Sequence, residues 1–411
     1  MTAPAPLPAP VVSRAVGATY VAFIGSGLGL GTWAARIPQV VDQLDLSPRQ
    51  LGLVLLAIAA GSVLALPLAG WVIARIGTRR LVALMAVLLA LALAGAGVSS
   101  FVGVLPLVVS LFLLGTANGA WDVGMNVQGA VVEQQLGRTI MSRFHAGFSV
   151  GTVVGALVTS LMVWLGVSVA VHLVLVAALI GVVVPLGVRS FLPEASTATA
   201  SEGGDGVGAR PTPSVFDAWR EPRTVLIGLF VLAFAFAEGS ANDWIAVAVL
   251  DGYAAADVVG PLTFAVFLAA MTVGRWFGPG LLDRYGRVPV IRAMASVALV
   301  GLGVFVLAPS VELAVVGAFL WGGGIALGFP LGMSAAADDP ERAPARVSVV
   351  ASIGYVAFLG GPPLLGLLGE GLGVLRSLSV VAVLLALALA ISGAVRPLRP
   401  AGAQDRRATT A

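Results

Sequence analysis

Four small groups of residues in this chain have the types and spacing to do chemistry. Asn118, Asp122 and Asn126 recur at i, i+4 and i+8, which on a helix sets an acid between two amides along one face. Glu238, Asn242, Asp243 and Trp244 place carboxylates, an amide and an indole within two helical turns. Acid and amide can hydrogen-bond hydroxyls while the ring covers an apolar sugar face. Arg275 stands alone in an apolar run. Its guanidinium stays charged, so it needs an acid or a bound anion, or it must snorkel toward water. Glu238 and Asp122 are both candidate partners. His145 can relay a proton with Asp122 or serve as a hydrogen-bonded structural residue. With His172 it completes the histidine complement, too few and too far apart for a metal site.

The elements that position these groups must lie in lipid. Of 411 residues, 58% are hydrophobic and 10% charged, where soluble domains carry about 25% charged, and the mean hydropathy is +1.01. Cysteine is absent and every basic residue is arginine, so disulfides, thiolate nucleophiles and cysteine metal sites are excluded. The arginines stand singly or in pairs between apolar runs, not as the patch a nucleic-acid surface requires. There is no Walker loop, no Gly-x-Ser-x-Gly elbow and no metal-ligand cluster, so neither cofactor nor metal is expected and the chain does not read as an enzyme. The glycines at 25, 27, 29 and 31 follow no strand; they thin their helix for substrate passage or helix contact.

Apolar runs wide enough for a core of about 30 Å fall near 16–35, 51–74, 81–98, 104–127, 143–165 and 168–188, and again near 224–250, 260–282, 289–308, 312–335, 346–368 and 374–394. The reading is an all-α membrane protein with twelve transmembrane helices in two pseudo-symmetric six-helix bundles, 16–189 and 223–395. A disordered cytoplasmic tail is expected at 1–15, a polar, glycine-rich cytoplasmic linker at 190–222, and a second cytoplasmic tail at 396–411. With both termini cytoplasmic, nineteen arginines fall inside and three outside (Arg36, Arg49 and Arg376), leaving Arg275 within a span. That bias follows the positive-inside rule and suggests a multi-pass protein of the bacterial inner membrane. From a start near residue 104, Asp122 lies roughly 27 Å along span 4; Glu238 lies about 22 Å from Arg223.

The halves echo one another. Gly77-Thr78-Arg79-Arg80 after span 2 recurs as Gly286-Arg287 after span 8, Trp33 answers Trp244, and Gly124-Met125 answers Gly332-Met333. Offsets near 210 residues mark a parallel duplication of a six-helix unit. The loop after span 2 resembles the signature loop of the major facilitator superfamily, with Ala74 where that family has an acid. The second copy keeps Asp283-Arg284-Tyr285-Gly286-Arg287, with Pro279 at an expected glycine. Further likeness lies in Gly29 to Pro38, Asn118 to Asn126, Arg143-Phe144-His145, Glu238 to Trp244 and Gly360 to Pro363. Together these resemble the MosC-like branch, related to fucose permease-like proteins, over nearly the whole chain outside tails and linker.

That resemblance implies a secondary transporter rocking about a cavity built from spans 1, 4, 7 and 10. It suggests a small polar, sugar-like or polyol-like solute, moved by alternating access and coupled to protons. Fucose permease-like proteins carry acids on spans 1 and 4, and span 1 here has none. Trp33, Asn118, Glu238, Asn242 and Trp244 are the expected substrate contacts. Asp122, Glu238 and His145 are the proton-coupling candidates; Asp122 alternatively pairs with an arginine or caps backbone. Gly77, Arg79, Arg80, Asp283, Arg284, Gly286, Arg287 and Arg275 are the gating and latch candidates. Expected partners are the solute, protons and the lipid bilayer, with no nucleic acid, and the protein is expected to be a monomer. Export of lipophilic or cationic compounds, or a non-transporting sensor or assembly role, are the competing readings.

Overall fold

The computed structural model describes residues 8–137, 140–193, 215–339 and 342–398. Residues 1–7 of the first expected tail, most of the second, the glycine-rich part of the expected linker, and Arg138, Arg210, Arg399, Arg406 and Arg407 lie outside the described residues. Span 1 is Ala9–Leu44; the helix Pro48–Ser99 carries spans 2 and 3; span 4 is Val104–Leu136, span 5 Met141–Trp164 and span 6 Val169–Gly187. Span 7 is Pro222–Tyr253, span 8 Val259–Tyr285 and span 9 Arg287–Leu307. Span 10 is Val311–Ile325 continued by Gly328–Ala336, span 11 is Ala343–Leu372, and span 12 is Val374–Ser377 with Ser379–Ile391. Eleven described helices are long and apolar enough to cross a membrane. The 52-residue one breaks at Gly77, φ 79° and ψ 160°, which makes two crossings, 48–76 and 78–99, and twelve in all. The end that carries Ala9 and Val395 is called the inner end, the opposite one the outer end.

Backbone geometry records the duplication more sharply than the side chains do. Asp45 and Ala254, left-handed residues closing spans 1 and 7 at φ 51° and 47°, lie 209 residues apart. Gly77 (φ 79°) and Gly286 (φ 80°) are separated by the same 209. Both turns need the positive φ that glycine adopts without a steric penalty, so each half reverses between its second and third spans through the same conformation.

Glycines set how closely the spans approach. A Cβ on Gly27 would run into the Phe148 carbonyl, and one on Gly151 into the Ile24 carbonyl. Spans 1 and 5 therefore pack backbone to backbone, the close approach that small residues permit in a membrane. Of the two roles open to the span 1 glycines, helix contact is the one observed. Trp121, Trp244 and Trp321 are fully buried in the packing around this frame.

Two expectations about boundaries change. Span 1 begins at Ala9 and runs to Leu44, beyond the 16–35 apolar run, so Arg36 is not in an outer loop. It is 2% exposed, donating from Nε to His172 Nδ1 at 3.1 Å and from Nη2 to the Val167 carbonyl at 2.9 Å. With these acceptors the helix need not stop at the charge, and Arg275 is not the sole arginine inside a span. Within the expected linker, Val215–Arg220 forms a helix whose Ala218 packs in an apolar cluster with Ala345, Val349 and Ile353 of span 11.

The halves meet at the outer end. Arg49 N–H donates to Glu370 Oε2 at 3.2 Å and Ser160 Oγ to the Val258 carbonyl at 3.0 Å. Gly52 and Gly366 bring spans 2 and 11 together so tightly that a Cβ on Gly52 would strike the Pro362 carbonyl. At the inner end no ion pair joins the halves among the described residues.

Candidate functional site

The polar stripe of span 4 faces the gap. Asn118 Oδ1 accepts from Ser26 Oγ of span 1 at 3.0 Å. One turn on, Asn126 Nδ2 donates to Asp122 Oδ1 at 3.2 Å and to the Asp122 carbonyl at 2.9 Å. His145 Nε2 reaches Asn126 Oδ1 at 3.1 Å, and Phe23 meets the imidazole edge-on at 5.1 Å between centroids. An acid, an amide and an imidazole thus form a continuous chain from span 4 to span 5.

Across the gap, Arg275 of span 8 has chosen between its two candidate acids. Its Nη2 donates to Glu238 Oε1 at 2.9 Å and Oε2 at 2.7 Å, while Nε points to the Ala326 carbonyl at 3.4 Å. The side chains of Arg275 and Glu238 are 31% and 22% exposed, so the pair is neither sealed in protein nor fully solvated. Glu238 stands 16 residues into a 32-residue helix, near mid-depth. Arg275 lies within electrostatic reach of His145, and Tyr355 of span 11 within reach of Asp122. The two halves therefore bring polar groups near one another: a carboxylate, amide and imidazole from the first and a carboxylate–guanidinium pair from the second. The nearness of Tyr355 to Asp122 was invisible to spacing arguments, because Tyr355 carries no local motif.

The remaining expected contacts make no hydrogen bond or ion pair with these groups among the described residues. Asn242 and Asp243 are partly buried and form no hydrogen bond or ion pair with the described residues. Trp33 is 3% exposed and Trp244 is 0% exposed, and the indole N–H of each lacks a protein acceptor. The equally buried Trp121 and Trp321 share this environment, so it marks the packing of the bundle and not a ligand contact. Among the described residues no cluster of acids and histidines has the arrangement of a metal site.

The latch candidates divide between the halves. In the second half, Arg287 Nη1 donates to Asp338 Oδ1 at 2.7 Å and Arg223 to the other oxygen at 2.9 Å. Glu221 takes Arg346 at 2.6 Å and Arg342 at 2.9 Å, and Asp339 takes Arg346 at 3.3 Å. The hydrogen bond from Arg346 leads in holding the Glu221 carboxyl down at about 2, against a usual 4.5. Gly286 supplies the turn, Arg284 lies over the Tyr285 ring at 5.1 Å, and Asp283 is exposed. In the first half, Gly77 supplies the matching turn, but Arg79 and Arg80 are exposed and form no ion pair with the described residues.

Fold and site define a polytopic helical membrane transporter built from two repeated bundles. The family model of the Major Facilitator Superfamily matches residues 19–353, and the chain belongs to that superfamily. An uncharacterized transporter, y4wD, of Sinorhizobium fredii is 32% identical over 349 residues, covering 85% of this chain and 89% of that one. Membrane protein MosC of Rhizobium meliloti is 28% identical over 361 residues, 87% of this chain and 84% of the relative, which bears out the MosC-like resemblance. The fold recurs in the nucleoside transporter NupG (TM-score 0.72, 15% identity, 93% of this chain and 98% of that one). It recurs also in the E. coli fucose:proton symporter FucP (TM-score 0.63, 13% identity, 93% and 98%).

Proposed function

We propose that this transporter moves a small, neutral, hydroxyl-rich solute together with protons across the bacterial inner membrane, with both termini in the cytoplasm. The observation that carries this reading is the Asp122–Asn126–His145 chain facing the Glu238–Arg275 pair across the gap between the halves. Arg275 is neutralised by Glu238, which leaves Asp122 and Asp243 as surplus acids. An acid-rich cavity disfavours an anionic solute and suits a neutral one plus a proton. Asn118, Asn242, Glu238 and the free Nη1 of Arg275 are donors and acceptors of the kind hydroxyls require.

Asp122 exchanges its proton when the gap opens to one side, and closure of the inner end transfers access to the other. Rocking of one bundle against the other about a fixed central site is the expected motion. The experiment is a thermal-shift screen of purified protein against monosaccharides, cyclitols and lipophilic cations, followed by flux in liposomes under a pH gradient. A ligand at about 100 times Kd stabilises by roughly 2.7 kcal/mol. A hydroxylated ligand that shifts the melting temperature and accumulates with the gradient supports the reading. The two surplus carboxylates also favour a second reading, proton-driven export of cationic compounds, which a shift with lipophilic cations alone would select.

A further inference from the structure

Span 2 carries an outward-facing stripe of Leu64, Leu68, Trp71 and Arg75 at i, i+4, i+7 and i+11, one face of a helix. Leu64 is 59%, Leu68 60% and Trp71 57% exposed. The face continues a groove nearer the outer end lined by Leu53 and Ala57 of span 2 and Val108 and Phe112 of span 4. It turns away from the Gly52 face that packs on span 11. The stripe therefore looks onto lipid, not into the gap between the halves.

At its inner end the stripe terminates in charge. The Arg75 guanidinium lies over the Trp71 ring, 3.4 Å from the centroid, a cation–π arrangement. Beyond the Gly77 turn come Arg79 and Arg80, both exposed. None of these three arginines makes a hydrogen bond or ion pair with the described residues. Ala74 stands where the second copy has Asp283, so the local acid that could neutralise them is missing. From Arg75 up to Leu64 is eleven residues, about 16 Å of helix, or roughly half of a hydrocarbon core of about 30 Å. Tryptophan at that boundary belongs at headgroup level.

We propose that Trp71, Arg75, Arg79 and Arg80 form a binding site for an anionic phospholipid. The arginines hold its phosphate-bearing headgroup, and one acyl chain lies along Trp71, Leu68 and Leu64. Charge and length together fit a lipid of the inner-side leaflet. A soluble anion would use the arginines and leave the apolar stripe unemployed. In the matching region of the second half Arg287 is held by Asp338, and Val288 and Pro289 stand where the first half has Arg79 and Arg80, so the three-arginine cluster does not recur.

The test is native mass spectrometry of the full-length protein titrated with phosphatidylglycerol, phosphatidylcholine or inorganic phosphate. Phosphatidylglycerol is expected to be retained in preference to phosphatidylcholine, and an excess of phosphate should not displace it. Arg75→Gln/Arg79→Gln/Arg80→Gln should weaken retention by about a hundredfold at roughly tenfold or less per charge, while Arg284→Gln in the second half leaves it unchanged. Ala74→Asp, a milder change that supplies an internal acid, should also weaken it, and triple substitution to lysine should preserve it. Equal retention by the glutamine variant, the Ala74→Asp variant and the parent would overturn the proposal, as would equal retention of phosphatidylcholine. Displacement by phosphate would reduce the site to a simple anion site and overturn it too.

Discussion

The inner ends of the two halves share one backbone plan and treat charge in opposite ways. Gly77 and Gly286 adopt nearly the same conformation, and arginines follow each. In the second half Arg287 joins Arg223, Arg342 and Arg346 in pairs with Asp338, Asp339 and Glu221 at distances from 2.6 to 3.3 Å, while Asp283 and Arg284 form no ion pair with the described residues. In the first half Arg75, Arg79 and Arg80 find no acid among the described residues, and Glu133 accepts the Ile140 and Met141 N–H groups at 2.8 Å each. A duplicated scaffold has thus kept its turns while its charged partners diverged. Backbone conformation is fixed by a single glycine, whereas an ion pair needs two compatible residues and is lost when either changes.

The site between the halves is asymmetric in the same sense, and the largest effects should come from breaking that asymmetry. Asp122→Asn removes the titratable group of the first half. Proton-driven accumulation in liposomes should fall to equilibrium level while ligand-induced thermal shifts persist; unchanged pH dependence would take Asp122 out of coupling. Glu238→Gln acts on the second half, leaving Arg275 without its counter-ion. It should weaken ligand binding and destabilise the fold by about 2 kcal/mol, since removing one partner strands the other charge. The double variant Glu238→Gln/Arg275→Gln should recover most of that stability without recovering binding.

Smaller effects should appear at the inner network. Glu221→Gln cuts the contacts to Arg342 and Arg346 and should cost about 1 to 2 kcal/mol near neutral pH, read as a melting shift of a few degrees. Because the Glu221 pKa is lowered in the fold, its contribution is complete above the usual 4.5 and fades as pH falls toward about 2. Parent and variant melting curves should therefore converge across that window, and a constant gap would show that the charge does not matter. The smallest effect is expected from Ala74→Asp, an exposed pairing with Arg75 or Arg79 worth about 0.5 kcal/mol. If it instead stabilised as strongly as the Glu221 network does, the contrast between the halves would rest on that one residue.

Much of this was legible in the sequence. Twelve apolar runs, the halving near residue 200 and the twinned Gly77 and Gly286 follow from hydropathy and local turn chemistry, which depend on neighbours along the chain. The Asp122 stripe was legible for the same reason, since helical period alone sets which residues share a face. Arg36 was misplaced because its acceptors, His172 and Val167, are more than 130 residues away. No local rule tells a helix end from a charge buried against a distant imidazole.

What the sequence by itself determined is the set of membrane helices, their repeat and the chemical types available to the site, because these are written in short-range patterns. Which acid neutralises Arg275, which arginines lack an acid among the described residues, and that His145 meets Asn126 were decided only by tertiary packing. The hydrogen bonds among them join residues 19 and 37 positions apart on different helices, and only helix packing brings such residues within reach of one another.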